Sequence, residues 1–553
     1  MSRKFISQAS VRILALSTTL LWVTSLALAQ NTNSGEIRGT VTDPSGASIP
    51  NAKVTAFNLD TGISLDYYTN GAGLYDTVSI LPGRYRITVS SQGFNTLVRD
   101  GIILGVGSPL TVDAKLSIGA SSEQVQVAAE AALIKTETAE QSTNLAAEQM
   151  TELPNVTRNW TNFNKMLPGV TQAGTDGAAA ANGTMPAYAS YLADGASATL
   201  SHSTNPVTSN FEATAEVQII SSTFSAQYGT GAVVYNQISK SGTNQWRGSA
   251  YEFLQNDYLN ARSFFAPIVP VSRYNNFGGA VGGPIRRDKM FFYFNVERII
   301  NKGVNYPYYT YPTADILAGN FSNPIFPKIY DPKATLADGS RAPFAGNVIP
   351  VDRMDSLALA AQKYFPTPNL PGYTNNLLYT QPTDSHSLHY FGRFDYNISD
   401  RNRLIFSLHE FDTPGISNTP AFPIDGYTGH GYEVSSQLSD VFTITPSAVN
   451  EFRVGFTRQY IEEDAGTLGL DYPQKLGWKY AKENLFPSVT IGGPVGGTTL
   501  GANIVSAIYA QLVYDPSDTV TLIRGRHVLH FGAEVLYLQD NDTSWNNKNP
   551  GGL

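Results

Sequence analysis

Side chains able to bind a metal, hold a proton or attack a bond are sparse in this sequence. It has seven His and no Cys, which excludes disulfides, thiolate metal sites and a Cys nucleophile. His386/His389 and His527/His530 are each three apart in stretches that read as strands. Residues i and i+3 of a strand point to opposite faces, so neither pair chelates one metal. There is no phosphate-cradling GxxxxGK[ST], no GxSxG elbow and no HExxH. Gly231, Gly278, Gly279, Gly282 and Gly283 read as wall glycines instead. The carboxylates form no acid–base pair. The expectation is no cofactor, no metal, no catalytic residue and no enzyme. A net charge of −8 gives no electrostatic support for nucleic-acid binding.

Three features remain that suit recognition. Glu123, Gln124, Val125, Gln126 and Val127, with Ala128, form a short alternating stretch. Such a segment can add its backbone to the edge of a partner's sheet; it can equally be a last strand of its own domain or a linker. Asp194-Gly195 lies in a polar stretch and is either a ligand-facing loop tip or ordinary turn chemistry. Tyr306, Tyr308, Tyr309, Tyr311, Phe326 and Tyr330 are able to stack on sugars or peptides, or to serve as girdle and loop packing.

The elements that must position these features are β-strands. Of 553 residues, 42% are hydrophobic and only 15% charged, with 48 Gly and 30 Tyr, the balance of a turn-rich β protein. Arg3 and Lys4 precede an apolar run from Ile13 to Leu28, and Ala27-Leu28-Ala29 precedes Gln30. This predicts a signal peptide over 1–29, cleaved between Ala29 and Gln30. No later segment is long enough to be a spanning helix, so a membrane location requires a closed barrel. Residues 35–118 alternate short β-branched runs with Gly/Pro/Asn turns and predict a small sandwich. Residues 120–245 suggest a mixed α/β domain, helical through Thr136–Met150 and later rich in Gly, Ala and Ser.

Residues 246–553 predict about nine antiparallel strands. In Leu388–Ile398, His389, Arg393, Asp395 and Asn397 share one face and apolar residues the other, with Phe391 the exception. Phe452, Val454 and Phe456 share a face, as do Leu529, Phe531, Ala533, Val535 and Tyr537. About ten residues tilted near 45° span roughly 23 Å, the apolar band of an outer-membrane barrel. The connections sort by length. Arg286–Lys289, Ser399–Asn402, Thr445–Ala448 and Arg524–Arg526 are short; Asn301–Ser385, a stretch of about 20 residues from Asp412 and Ile461–Ala507 are long. Tight turns on one side and extended loops on the other are what a transmembrane barrel shows.

Particular motifs carry a resemblance. Gly39–Gly46, Asn70–Tyr75 and Leu81–Tyr85 resemble the carboxypeptidase regulatory-like domain, a prealbumin-like sandwich. Leu153-Pro154 through Asn159, Leu167–Val170, Leu192–Gly195 and Phe224–Asn244 look like the plug of TonB-dependent receptors, Oar-like subgroup. Gly248–Phe265, Asn276–Pro284, Lys289–Phe294, Tyr330–Pro332 and Asn450–Arg453 look like the Oar-like barrel. The resemblance implies the N-terminal nine of twenty-two barrel strands. The family's barrels end on the periplasmic side with an aromatic residue, whereas this sequence stops at Leu553 on the other side. A fragment or truncated product is therefore expected. The resemblance further implies a Gram-negative outer-membrane receptor with its sandwich in the periplasm, energised by TonB. TonB would bind Glu123–Val127, loosely a TonB box. The ligand would be an oligosaccharide, peptide or siderophore. The alternative is a barrel-anchored surface adhesion or structural protein.

Overall fold

A computed structural model of the chain describes residues 33–546 except 108, 120–123, 129–139, 154–157, 159, 167, 173–178, 185–188, 201–209, 230–232, 263, 265–267, 419–423, 425, 446, 482, 493–498, 502–503 and 526. The expected leader with Ala29 and Gln30, and Glu123, lie outside the described residues.

Alternation builds the first body. Glu36–Thr42 and Lys53–Asn58 bury every second residue. Glu36–Thr42 joins a four-stranded sheet, and Lys53–Asn58 lies in a five-stranded one ordered Ser64–Tyr68, Lys53–Asn58, Gly83–Ser90, Thr96–Leu104, Gln124–Ala128. Ile37, Val41, Val54, Ile87 and Leu116 fill the space between them. Gly39 is required here: a Cβ would stand 2.1 Å from the Val112 carbonyl oxygen.

The second body is a five-stranded sheet ordered Gln141–Ala146, Thr214–Ser222, Val233–Ser239, Ala189–Ala193, Ala196–Ser197. In its core Tyr191 stacks on Tyr235 at 5.0 Å between ring centroids, and Trp160 tilts against Tyr235 at 5.6 Å. The mixed α/β expectation holds, with one correction. The described helix covers only Ala147–Glu152, and Gln141–Ala146 is a strand. Its antiparallel pairing with Thr214–Ser222 overrides local helix preference, as tertiary context routinely does.

The third body is one antiparallel sheet of nine successive strands, from Arg247–Asn256 to His527–Glu534. The last continues as Tyr537–Asp540 and Thr543–Asn546 on the same neighbour. Among the described residues the first and last strands do not pair with each other. Burial on this sheet is inverted. Asn295, Glu297, His389, Arg393, Asp395 and Gln437 are buried, while Phe294, Tyr390, Phe406, Leu438, Phe452 and Tyr514 are exposed. That arrangement suits lipid outside and a polar, covered interior. Phe391 turns inward and packs on Tyr293 and His409.

The short connections fall where the sequence puts them, but the strands are longer than expected. The one from Gln381 ends at Ser399, and Asn402–Asn418 and Tyr427–Thr445 follow. The loop expected from Asp412 is thus only residues 419–426, because the ladder continues beyond the apolar band. Beyond the strand ends, Tyr311, Leu377, Ile424, Leu476 and Phe486, from three separate connections, form one apolar cluster. Tyr309 packs on Tyr311 and Tyr379, and Phe326 on Phe321 and Tyr373. Loop packing accounts for these rings; Tyr308 and Tyr330 stay half exposed.

The sandwich docks on the short-turn end. The Asn244 side chain donates to the Thr61 carbonyl (2.5 Å) and the Asp288 carboxylate (2.6 Å), and the Asn70 amide donates to the Gly525 carbonyl (3.1 Å). Val78 packs on Val441 and Val449. Its φ of 60° is rare for a β-branched residue and is held by its N–H donating to Asp76 (2.8 Å).

If the exposed apolar face meets lipid, Leu438→Arg should cost about 2–4 kcal/mol in a bilayer. Folding into vesicles under a urea gradient measures this. Unchanged stability would mean that the face does not contact hydrocarbon.

Candidate functional site

The second body reaches the inner wall of the barrel through a tight turn. Ala189–Ala193 pairs with Ala196–Ser197, leaving Asp194 and Gly195 as a two-residue connection. Their φ values are 47° and 78°, which favour Asp-Gly in a type I′ hairpin. Ala189–Ala193 also runs parallel to Val233–Ser239, the last strand before the chain enters the barrel. The turn and that exit strand therefore lie side by side.

Asp194 is 2% exposed. Its carboxylate accepts from the Ser239 N–H (2.9 Å), the Ser239 hydroxyl (2.6 Å) and the Ser407 hydroxyl (2.7 Å), the last from the barrel wall. Arg393, also on the wall, lies 3.6 Å away. Its guanidinium grips Asp395 at 2.8 and 3.0 Å and donates to the Ser239 carbonyl at 3.0 Å. The Ser241 hydroxyl donates to Asp395 at 2.7 Å. Burial pushes the Asp194 carboxyl up, but the charges of Arg393 and His409 and the Ser239 bonds outweigh it, and the group sits below the usual carboxylate range.

Two further contacts hold the same turn. The Ser197 N–H donates to Asp515 (2.8 Å), and the Thr457 hydroxyl donates to the Ser197 carbonyl (2.9 Å). Gly455 permits the approach, since a Cβ there would lie 2.6 Å from that of Ala196. A separate clamp joins the second body to the first barrel strand: Arg158 pairs with Glu212 at 2.5 Å and lies 3.6 Å over the Phe253 ring.

Asp194-Gly195 thus serves as a locking turn with its carboxylate engaged. Sequence reasoning placed Arg393 and Asp395 on a shared polar face but supplied no partner. The signal was charge on the alternating face of a strand with an apolar opposite side. Gln124–Ala128 lies at the edge of the sandwich, parallel to Thr96–Leu104, with Leu97 opposite Val125 and Arg99 opposite Val127. The structure does not bring it to Asp194.

Residues 238–553 match the family model described as outer membrane beta barrel domain. The chain belongs to this outer membrane barrel family. Residues 36–117 match the carboxypeptidase regulatory-like domain. The chain is 22% identical over 520 residues to the TonB-dependent transporter Oar of Myxococcus xanthus, covering 90% of this chain and 43% of Oar. These matches bear out the resemblance to Oar-like receptors drawn from the motifs. Solved structures similar to the barrel protein include the outer membrane transporter YddB from Escherichia coli, at 11% identity and TM-score 0.46 over 72% of this chain and 48% of YddB. Another is a mutant ferric enterobactin receptor from Pseudomonas aeruginosa, at 13% identity and TM-score 0.38 over 71% and 48%. The chain spans less than half the length of these relatives.

Breaking a buried, paired charge costs about 3–5 kcal/mol, and Arg393 keeps Asp395, so Asp194→Asn should cost about 3 kcal/mol of docking. Asp194→Ala should cost more, because Ala tolerates the left-handed backbone poorly. Asp194 has a lowered folded pKa. Its contribution is therefore full above the unfolded value of about 3.9 and is lost as pH falls through the lower folded value. The Asn variant should lack that acid limb. Urea melts followed by Trp fluorescence at pH 3 and pH 7 would read both effects. Identical melts for wild type and variant would remove Asp194 from the lock.

Proposed function

We propose that this chain forms the plug-bearing part of a TonB-dependent outer-membrane transporter. Residues 120–245 act as the plug, 246–553 as barrel wall and 35–118 as a periplasmic domain. The observation carrying this reading is the polar lock of Asp194, Arg393, Asp395 and Ser239 inside the wall. A polar interior filled by a separately folded sheet passes a substrate only when that sheet shifts. Hydrogen bonds and ion pairs permit such a shift more readily than an apolar core, since water replaces them. The similarity to Oar along most of the chain supports the same reading.

In this scheme an oligosaccharide, peptide or siderophore binds the clustered long loops outside the cell and the outer plug face. TonB engages Gln124–Val127 in the periplasm by adding a strand to it, and the pull strains the lock. Gln124–Ala128 is already an edge strand of the sandwich, so its backbone is extended for such pairing. No bond is made or broken, and the chain acts as a transporter without catalysis. A surface adhesin is the second reading, favoured by the apolar cluster of Tyr311, Leu377, Ile424, Leu476 and Phe486 that joins three connections at one end of the barrel.

The chain has no native Cys, which allows a clean tether. Ser197→Cys with Thr457→Cys, oxidised in outer membranes, should abolish proton-motive-force-dependent uptake of labelled oligosaccharide, peptide or siderophore, and a reductant should restore it. Full uptake by the tethered protein would rule out plug movement. Uptake in wild type that ignores collapse of the proton gradient would support the adhesin reading. Separately, replacing Val125 and Val127 by Pro should stop uptake; uptake left intact would reduce the segment to a sandwich strand.

A further inference from the structure

Between the sandwich and the short-turn end of the barrel lies a cavity of about 250 Å³, roomy beside the ~30 Å³ share of a water molecule. Both bodies line it. The sandwich contributes Tyr67 and Thr77, and the barrel contributes Lys289, Arg401 and Arg403. It borders the Val78–Val441–Val449 contact, so whatever occupies it touches the docking interface itself.

Arg403 sets the chemistry. It stands on the inward face, two residues before buried Ile405 and four before buried Ser407. Its Nε is buried with no hydrogen-bond partner; Asp395 and Glu451 act on it only at a distance, and each is already engaged, Asp395 by Arg393 and Glu451 by Ser439. Its inward neighbours differ: Arg393 has Asp395 at 2.8 Å, and Arg453 has Glu451 at 3.9 Å. An arginine stays charged in proteins, and a half-buried charge that faces a cavity is stabilised by an anionic partner there. Lys289 and Arg401 add two cations to the same walls. Of the two carboxylates there, Asp288 and Asp400, Asp288 is bonded to Asn244 at 2.6 Å. The planar donors of a guanidinium match the oxygens of phosphate or carboxylate.

We propose that this cavity binds a small oxyanion of phosphate size, held by Arg403 and Arg401 from the barrel and the Tyr67 hydroxyl from the sandwich. The bound anion clips the sandwich to the barrel. Because Arg403 faces the interior, the anion comes from periplasmic solution and not from a lipid headgroup. The proposal stands independently of transport.

Titration calorimetry of the full chain in detergent, with inorganic phosphate against chloride at matched ionic strength, tests it. Saturable phosphate binding is expected, weakened about tenfold or more by Arg403→Met and about threefold by Tyr67→Phe. Phosphate should also slow proteolytic release of the sandwich in wild type but not in Arg403→Met. If Arg403→Met fails to fold, Tyr67→Phe decides, because it removes only a hydroxyl. Absent saturation, equal response to chloride, or phosphate affinity unchanged in the folded variants would overturn the site. Equal binding of phosphatidylglycerol micelles that excludes phosphate would overturn the assignment of the anion to solution.

Discussion

A guanidinium buried on the inner wall of a barrel must be paired, and Arg393 meets that requirement by joining three separate stretches of chain. It grips Asp395 on its own strand, approaches Asp194 on the inner turn and donates to Ser239 on the segment leading into the barrel. Remove the inner sheet and two buried charges on the wall lose part of their solvation. The wall and the inner sheet therefore depend on each other, and the depth of docking is set by the length of these hydrogen bonds.

The same logic explains why burial is inverted across the barrel sheet. Phe406, Leu438 and Phe452 stand exposed on the outer face and require no polar partner. The opposite face carries Glu297, His389, Arg453 and Glu451, groups stable only when bonded or hydrated. His389 lies 3.2 Å from Glu297, and Ser439 donates to Glu451 at 2.9 Å. Alternation along a single strand thus prescribes two environments. Where a charge makes no direct ion pair, as at Arg403, whose carboxylate neighbours Asp395 and Glu451 are bonded elsewhere, the surrounding cavity takes on meaning.

The two ends of the barrel differ in how they are closed. At the short-turn end a separate sandwich docks through a few polar contacts and one small apolar patch around Val78. At the other end the long loops share a core of Tyr311, Ile424 and Phe486. Polar contacts dominate at the first cap among the described residues; an apolar cluster joins the connections at the second.

Much of this architecture was legible in the residues themselves. Period-2 alternation with charge on one face marked the strands, and the sorting of short and long connections marked a barrel. Gly and Pro punctuation marked the sandwich. These are local properties that a chain displays without folding. Strand ends beyond the apolar band, such as those near Asn418 and Tyr427, were not legible, because outside that band nothing in the pattern distinguishes a ladder from a loop. Nor was the strand at Gln141–Ala146, whose conformation depends on a partner some seventy residues away. The sequence showed Asp194 in a turn and Arg393 on a polar face. Only the tertiary structure brought them together, because a charge states that it needs a partner but not which one, and that choice rests on how distant strands pack.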